Sequence, residues 1–595
     1  MLFVTYQTYS QTQLGSDFDG DAGDTLGYGL ALSSNGQVIA TGSSPGAGYV
    51  KVFEYSPTGV TSWTQLGSDL NGQRAGDTFS KVSLSGDGTI LAVGAIRSEG
   101  VNNNKNKIGQ VKVFNYNGSN WVQLGQSIDG ENADDFSGSV SLSEDGETLA
   151  IGATQNDGGG SNSGHVRVYR YVSSTWTQIG SDINGDGSND FFGTSISLSN
   201  NGNILAIGAC EAGTTNYGGN YVKILEYSSS SDSWSQLGST INGDNSDDRF
   251  GVSVSINGDG DVLAVGSEKD DGNGTDSGQV KVYSFTPTGT SSWSLLGSAI
   301  NGEAAGDQFG TSVSISDNGL KIIASAKFNQ AKGTETGHAR VFEYFNNSWI
   351  QIGSDIDGEA ADDQFGSRAV ISGNGNIVAG SGLDNDGNGT NSGHVRVYDL
   401  VPEISQTKIA LDNSTVSVTF SNAVYGGSAF TTSTLEVSDF VLSISGGSAS
   451  LSSATPSSVT TSGTTIGLGI PLSGSPDGSE VLTIQPVSNS IFSASGNTLS
   501  TTQTSNSTEL VQNIVTDNVI LYLDAGNTSS YPDTGTVWYD LSGNENNGTL
   551  NGATYSSNGG GSISFDGSND DVTIQDDNTL DITNDITISY SLEPN

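Results

Sequence analysis

The sequence predicts an all-β chain in which one unit is written seven times and two further strand-rich modules follow. Three observations carry that expectation. Trp63, Trp121, Trp176, Trp234, Trp293 and Trp349 recur at intervals of roughly 55–59 residues, a period that marks repeat architectures. Each interval holds four strand-like runs separated by glycine turns. No stretch carries a sustained helical period. Four antiparallel strands per unit, repeated radially, make a propeller blade.

The unit is clearest over Trp176–Ser233 and the strand just before it. Thr194–Leu198 alternates polar and apolar residues, as a half-buried strand does. Leu205–Ala209 is apolar throughout, as a strand covered on both faces is. Val166–Tyr171 alternates again, and Trp176–Ile179 is a short aromatic-anchored strand. After Val395–Tyr398 the chain passes to Asp399-Leu400-Val401-Pro402 with no following Trp-x-Gln-Leu-Gly. That fourth strand stands instead at the other terminus, as Gln13-Leu14-Gly15. The one-strand offset predicts a seven-bladed β-propeller over residues 1–401 whose last blade takes its outer strand from the N-terminus. Phe3–Tyr6 also has a third-strand pattern, so a cropped eighth blade is the alternative.

The later modules differ in composition. Only three of the ten prolines precede Pro402, and Lys408 is the last cationic residue. Strands at Thr415–Phe420, Phe440–Ser445, Ile466–Ile470 and Val481–Ile484 predict a β-sandwich over 402–511. A third module, 517–595, opens on Val519–Asp524 and runs through Trp538 and Phe565-Asp566-Gly567 to Ile586–Ser591. The chain opens inside a repeat and ends inside a strand, so it reads as a piece of a larger protein.

The 595 residues include 65 acidic against 20 Lys and Arg, a formal charge of −45. That balance excludes nucleic acid and anionic membranes as partners, since both need cationic surface. It suits a protein kept soluble in salt or one that collects cations. Cys210 is the only cysteine, which rules out a disulfide framework and a Cys-based metal site. No apolar run is long enough to span a bilayer, and nothing in the pattern calls for an oligomer.

Three resemblances follow from these residues. The first 400 residues resemble FG-GAP repeats, the units of the integrin α-subunit propeller. They carry Phe-Gly at 192–193, 250–251, 309–310 and 365–366, with Gly-Ala or Gly-Ser at 94–95, 152–153, 208–209 and 266–267. Residues 403–510 resemble bacterial immunoglobulin-like modules through 418–425 and Val437-Ser-Asp-Phe440. From 519 the chain is similar to the start of a concanavalin A-like, laminin-G-type jelly roll. Its marks are Leu521–Gly526, Asp540–Asn544, Asn547–Leu550 and Ser564–Gly567. Together they imply an extracellular or cell-surface protein serving adhesion or glycan binding. The alternative is an accessory region of a secreted polysaccharide-degrading enzyme whose catalytic domain lies outside this chain.

Candidate chemistry sits in acidic, glycine-rich loops. One loop joins each blade to the next, as in Asn184-Gly-Asp186 with Asp190, and an Asp precedes the inner strand in all seven copies: Asp24, Asp77, Asp134, Asp190, Asp248, Asp307 and Asp363. The other joins strands two and three, as in Asp384, Asp386 and Asn388. Antiparallel alternation puts both loop types on one face, which is the candidate binding surface. Alternating carboxylates and amides with Gly suit Ca²⁺. The competing reading is Asx turns that bond the loop backbone, which repetition in all seven copies favours. The FG-GAP resemblance implies calcium in the hairpin between strands one and two, and only Asn257-Gly-Asp259-Gly-Asp261 approaches that pattern.

His165, His338 and His394 share one repeat position that Gln110 and Gln279 also occupy, so they are expected to be packing or surface residues, not bases. Gly42-Ser-Ser44-Pro-Gly46 matches a nucleophile elbow but lacks the following helix. No enzyme is predicted. In the last module Trp538, Asp540 and Asn544 offer an aromatic platform and hydrogen bonds for a neutral sugar, against the alternative that Trp538 is core.

Overall fold

The computed structural model describes residues 10–56, 62–100, 106–210, 220–287, 292–410, 412–420, 424–426, 434–493, 499, 501, 503, 505–511, 520–525, 529–532, 534–556, 562–565, 568–575 and 580. The chain is all-β, with 49% strand and 1% helix. Phe3–Tyr6, Ile586–Ser591, Val519, Gly526 and Asp566-Gly567, and the Ser421–Ala423 part of the immunoglobulin-like motif, lie outside the described residues. Two compact units divide it: Met1–Ser445, Ser450–Ser473 and Val481–Thr508 form one, and Gly446–Ala449, Gly474–Glu480 and Glu509–Asn595 the other.

In the first unit, seven antiparallel sheets of four or five strands follow one another along the chain. The fourth is representative: Phe192–Leu198, Ile204–Ala209, Tyr221–Ser228 and Ser233–Gln236 pair in order. The second strand is the most buried, with Leu205, Ala206 and Ile207 fully enclosed, as its unbroken apolar sequence requires. One feature escaped the sequence reading. After the fourth strand the chain pairs again with the start of the third, through Ile241–Asn242 against Tyr221 and Val222. Gly238, at φ +76, lets the backbone bulge and re-enter the ladder.

That glycine has a second reason to lack a Cβ. Such an atom would come within 2.8 Å of Trp293 Cδ1 of the next sheet. Trp63, Trp121, Trp176, Trp234, Trp293 and Trp349 each donate Nε1–H to the carbonyl just before such a glycine, at Leu14, Leu66, Leu124, Ile179, Leu237 and Leu296. The repeated Trp-x-Gln-Leu-Gly is therefore one sheet's tryptophan and the seat for the next. At the remaining seat, Gly353, the side chain of Gln11 lies where a tryptophan would.

The seventh sheet begins with Phe365–Ile371, Ile377–Gly382 and His394–Val401. Its fourth strand is N-terminal: Ser10–Gln13 pairs antiparallel with the third strand, Gln13 opposite Tyr398, and Phe18 re-enters opposite Val395. Between neighbouring sheets lie hydrophobic clusters, and the one joining the seventh to the first contains Leu14, Phe18, Leu26, Leu30, Ile39, Ile377 and Val397. At the hairpins between strands one and two, single backbone bonds pass from sheet to sheet. Ser34 N–H donates to Gly86 O, Gly86 to Glu144, Glu144 to Asn200, Asn200 to Gly258, Gly258 to Asp317 and Asp317 to Gly373. Asn374 N–H then donates to Ser34 O.

Residues 404–445, 450–473 and 481–508 of the same unit add a four-stranded sheet, of Ile404–Ile409, Thr415–Phe420, Thr465–Gly469 and Val459–Ser462, and a three-stranded one centred on Val481–Pro486. Alternate residues Val416, Val418 and Phe420 are buried, as are Leu482 and Ile484. The predicted strands recur there within a residue or two. In the second unit Val537–Trp538, Gly548–Asn551 and Asp571–Ile574 form a small sheet.

Candidate functional site

Both acidic loop types do emerge at the same end of the sheets, and they are laced together. Before the fourth sheet, Asn189, Phe191 and Phe192 N–H donate to Ser161, Asn162 and Ser163 of the preceding loop. The same three bonds recur at Gly306, Gln308 and Phe309, and at Asp362, Gln364 and Phe365. Gly23, Thr25 and Leu26 make them to Thr390, Asn391 and Ser392, from the first sheet to the seventh. Side chains add braces: Asn388 Nδ2 donates to Gly20 O at 3.0 Å and Asn273 Nδ2 to Gly302 O at 2.9 Å.

The aspartate before each inner strand closes a turn. Asp190 Oδ2 accepts Gly187 N–H and the Tyr221 hydroxyl, both at 2.8 Å. Asp24, Asp77, Asp248, Asp307 and Asp363 likewise accept the N–H three residues upstream. In the third copy the residue is Asp135, not Asp134: Asp135 accepts Asn132 N–H at 2.8 Å. The inner strand opens at Ser137 rather than at Phe136, which sits at φ +53 as Phe191 does at +52. Aligning the aromatics displaced the sequence reading by one residue.

The nine residues read as calcium ligands are mostly engaged. Asp186 Oδ1 pairs with Lys223, and Asn184 continues the ladder opposite His165. Asn257 Oδ1 accepts Asp261 and Val262 N–H, and its Nδ2 donates to Asp261 Oδ1 at 2.9 Å. Asp259 lies beside Asp317, whose carboxyl is pushed up by burial and by that neighbour. Asp386 Oδ1 accepts Asn391 N–H at 2.7 Å. Asp384 is pushed up by burial and then by Asp386, Glu335 and Asp362, a crowd of carboxylates on this face. These bonds are those of Asx turns.

Among the described residues, the groups of three or more metal-ligating side chains are Glu131, His165 and Asp182; Glu303, His338 and Asp355; and Asp17, Asp19 and His394. All three involve the histidines that the sequence consigned to packing. They are indeed buried, at 1%, 0% and 0% exposure, but each faces carboxylates. The missed signal is that Glu and Asp accompany His across the repeats.

In the second unit Asp540 is saturated: it accepts Tyr522, Ser542 and Asn546 N–H and the Ser542 hydroxyl. Burial raises its pKa, and these bonds outweigh it and hold the carboxyl low. Asn544 donates to Ile520 O. Trp538 is half-buried and Asn544 is exposed.

The family model described as FG-GAP repeat matches residues 127–169 and 234–283, each running from the end of one sheet into the third strand of the next. An all-β repeat protein carrying FG-GAP units is thus the class that fold and sequence define. No curated protein matches the chain. Among solved structures, hydrazine synthase of Kuenenia stuttgartiensis is similar at 10% identity over 60% of this chain and 93% of that one, with a TM-score of 0.39. A likeness that loose transfers nothing. No helix among the described residues is long and apolar enough to cross a membrane.

Proposed function

We propose that the seven sheets are blades of a closed seven-bladed β-propeller, and that the protein is a non-enzymatic binding scaffold of the extracellular space or cell surface. Its loop face meets a glycan or a cell-surface protein. The sandwich-like 402–511 acts as an immunoglobulin-like spacer, and 517–595 as the beginning of a concanavalin A-like module. Closure is supported by the return of the hairpin bonds from Asn374 to Ser34 and by the Ser10–Gln13 strand.

The observation that carries the binding role is the laced loop face. Loops held by repeated backbone bonds before any ligand arrives lose little conformational freedom on binding, which is what preorganisation contributes to affinity. The face is rich in acidic residues and glycine, and the C-terminal modules have no cation after Lys408. It therefore favours neutral sugars over sulfated ones. Calcium belongs to this reading at the crowded Asp384 loop, where a divalent cation would relieve repulsion. A glycan array probed with the full chain, with and without chelator, tests it. Neutral glycans should bind and chelator should weaken them; a salt-sensitive preference for sulfated glycans would overturn the reading.

A further inference from the structure

We propose that the third, sixth and seventh sheets each carry a site for a divalent first-row transition-metal ion. One histidine and an aspartate between the outer strand and its re-entry would hold it, with Glu131 in the third sheet, Glu303 in the sixth and Asp19 in the seventh, where Glu359 also lies close. The inference stands apart from the proposed binding role and needs no glycan. In the sixth sheet His338 Nδ1 lies 3.6 Å from Asp355 Oδ2 and 3.9 Å from Glu303 Oε2. In the third, His165 Nδ1 lies 3.9 Å from both Asp182 Oδ2 and Glu131 Oε2. In the seventh, His394 Nδ1 lies 3.7 Å from Glu359 Oε2 and 4.0 Å from Asp17 Oδ2.

The chain contains its own control. Where the third strand opens on His, the residue two further on is Arg, the connection supplies Glu and the stretch between the outer strand and its re-entry supplies Asp, in all three cases. The other four repeats open on Tyr49, Gln110, Tyr221 or Gln279 and follow with Lys. Their connections hold Asp21, Gln73, Asp186 and Asp244, never Glu, and only the first has an outer Asp. Four positions from three separate elements change together, which neither packing nor chance loop acidity requires.

The polar tips differ as well. Gln110 Nε2 donates to Asp129 at 2.7 Å, Gln279 Nε2 to Asn301 at 2.8 Å, and the Tyr221 hydroxyl to Asp190. By contrast, both ring nitrogens of His338 and of His394 are buried with no partner at hydrogen-bond distance, and the carboxylates that face Nδ1 stand back at 3.6–4.0 Å. Leaving a buried polar atom so is costly, and the same placement in two repeats asks for a ligand. The arginine sets the glutamate: Arg340 Nη2 donates to Asn301 O at 2.9 Å, and Nη1 lies 3.4 Å from Glu303 Oε1, leaving Oε2 toward the imidazole. Arg167 and Arg396 grip Asp129 O and Asp357 O in the same way. Such outer partners orient metal ligands.

The donor set selects the ion. Calcium takes oxygen alone, whereas one imidazole with two carboxylates suits Zn²⁺, Co²⁺ or their neighbours. Ligands about 2.0–2.2 Å from a tetrahedral ion sit about 3.4 Å apart, so only the half-exposed carboxylates need to close in. Three protein ligands leave a further position for water.

The test is Co²⁺ uptake by the chelator-stripped full chain, read by its visible absorption, with Zn²⁺ as competitor. Three equivalents should bind, and Zn²⁺ should displace them. His338→Gln, which installs the residue native to two other repeats, should remove one equivalent, and the triple variant with His165→Gln and His394→Gln all three. Asp355→Asn should weaken one site at least tenfold, and it serves if the triple variant loses its circular dichroism. Millimolar Ca²⁺ should leave occupancy unchanged. Uptake that the histidine and Asp355 substitutions do not alter, no uptake at all, or displacement by calcium would each overturn the proposal.

Discussion

Truncating Leu14 to alanine should destabilise the first unit although the residue lies only fourteen positions from the N-terminus. Leu14 is 3% exposed and packs into the cluster that joins the seventh sheet to the first. Its N–H donates to Val397 O at 2.8 Å, and its carbonyl accepts the Trp63 indole at 2.8 Å. A buried Leu→Ala change costs about 2–5 kcal/mol. Phe18→Ala should cost about 3–5 kcal/mol, since that ring lies 4.4 Å from Phe53 and 5.5 Å from Trp63. The two share one cluster, so their effects should not add. Thr12→Ala is the control: it is exposed and pairs with Asp399 through the backbone, so it should stay within about 0.5 kcal/mol of wild type. Guanidinium unfolding followed by tryptophan fluorescence reads all three. A Leu14→Ala midpoint equal to that of Thr12→Ala would refute the N-terminal strand as the seam. Deleting residues 1–15 should go further, leaving His394–Val401 as an unpaired edge, visible as aggregation on size exclusion.

Other outcomes follow from single contacts. Gly238→Ala should cost more than Gly306→Ala by unfolding, because both sit at positive φ but only the first Cβ meets a tryptophan; the strain they share is about 1–3 kcal/mol, and equal losses would refute the seat. Asp363→Ala should cost about 1–3 kcal/mol, since that carboxylate accepts Glu359 and Ala360 N–H at 2.8 and 2.7 Å; an unchanged midpoint would refute the turn. Glu268 is 3% exposed. Burial raises its pKa, but Lys327, Arg249 and Thr311 together outweigh this and hold it below the ordinary value. Its stabilising contribution is therefore complete above the unfolded value of about 4.3 and fades as pH falls through the lower folded one. Glu268→Gln should lose stability at pH 7 and, as pH falls below about 4.3, lose less further stability than wild type; parallel curves would contradict that.

The period, the four strands and the one-strand offset were legible because hydrophobic alternation and the Trp-x-Gln-Leu-Gly motif report local pairing directly. The re-entrant Ile241–Asn242 segment was not, since a glycine bulge hides the continuation of a strand. Asp135 was missed because two aromatics, Phe136 and Phe191, mark the residue before the strand instead of its start. The histidine clusters were hidden for a different reason. His338, Glu303 and Asp355 are brought together from three elements, and substitution by Gln elsewhere reads as tolerance until the partners are seen to change with it. The calcium reading relied on composition, whereas the structure gives many of those oxygens to their own loop backbone.

The central claim is that the laced loop face, not the hairpin face, binds the ligand. Charge reversal separates them: Asp271→Lys with Asp386→Lys on exposed loop positions, against Asp87→Lys with Asp145→Lys on exposed hairpins. Biolayer interferometry of the full chain against the neutral glycan that gives the strongest array signal reads both. The account predicts at least a tenfold loss for the loop pair and no change for the hairpin pair. Equal losses, a loss confined to the hairpin pair, or no binding by wild type would contradict it.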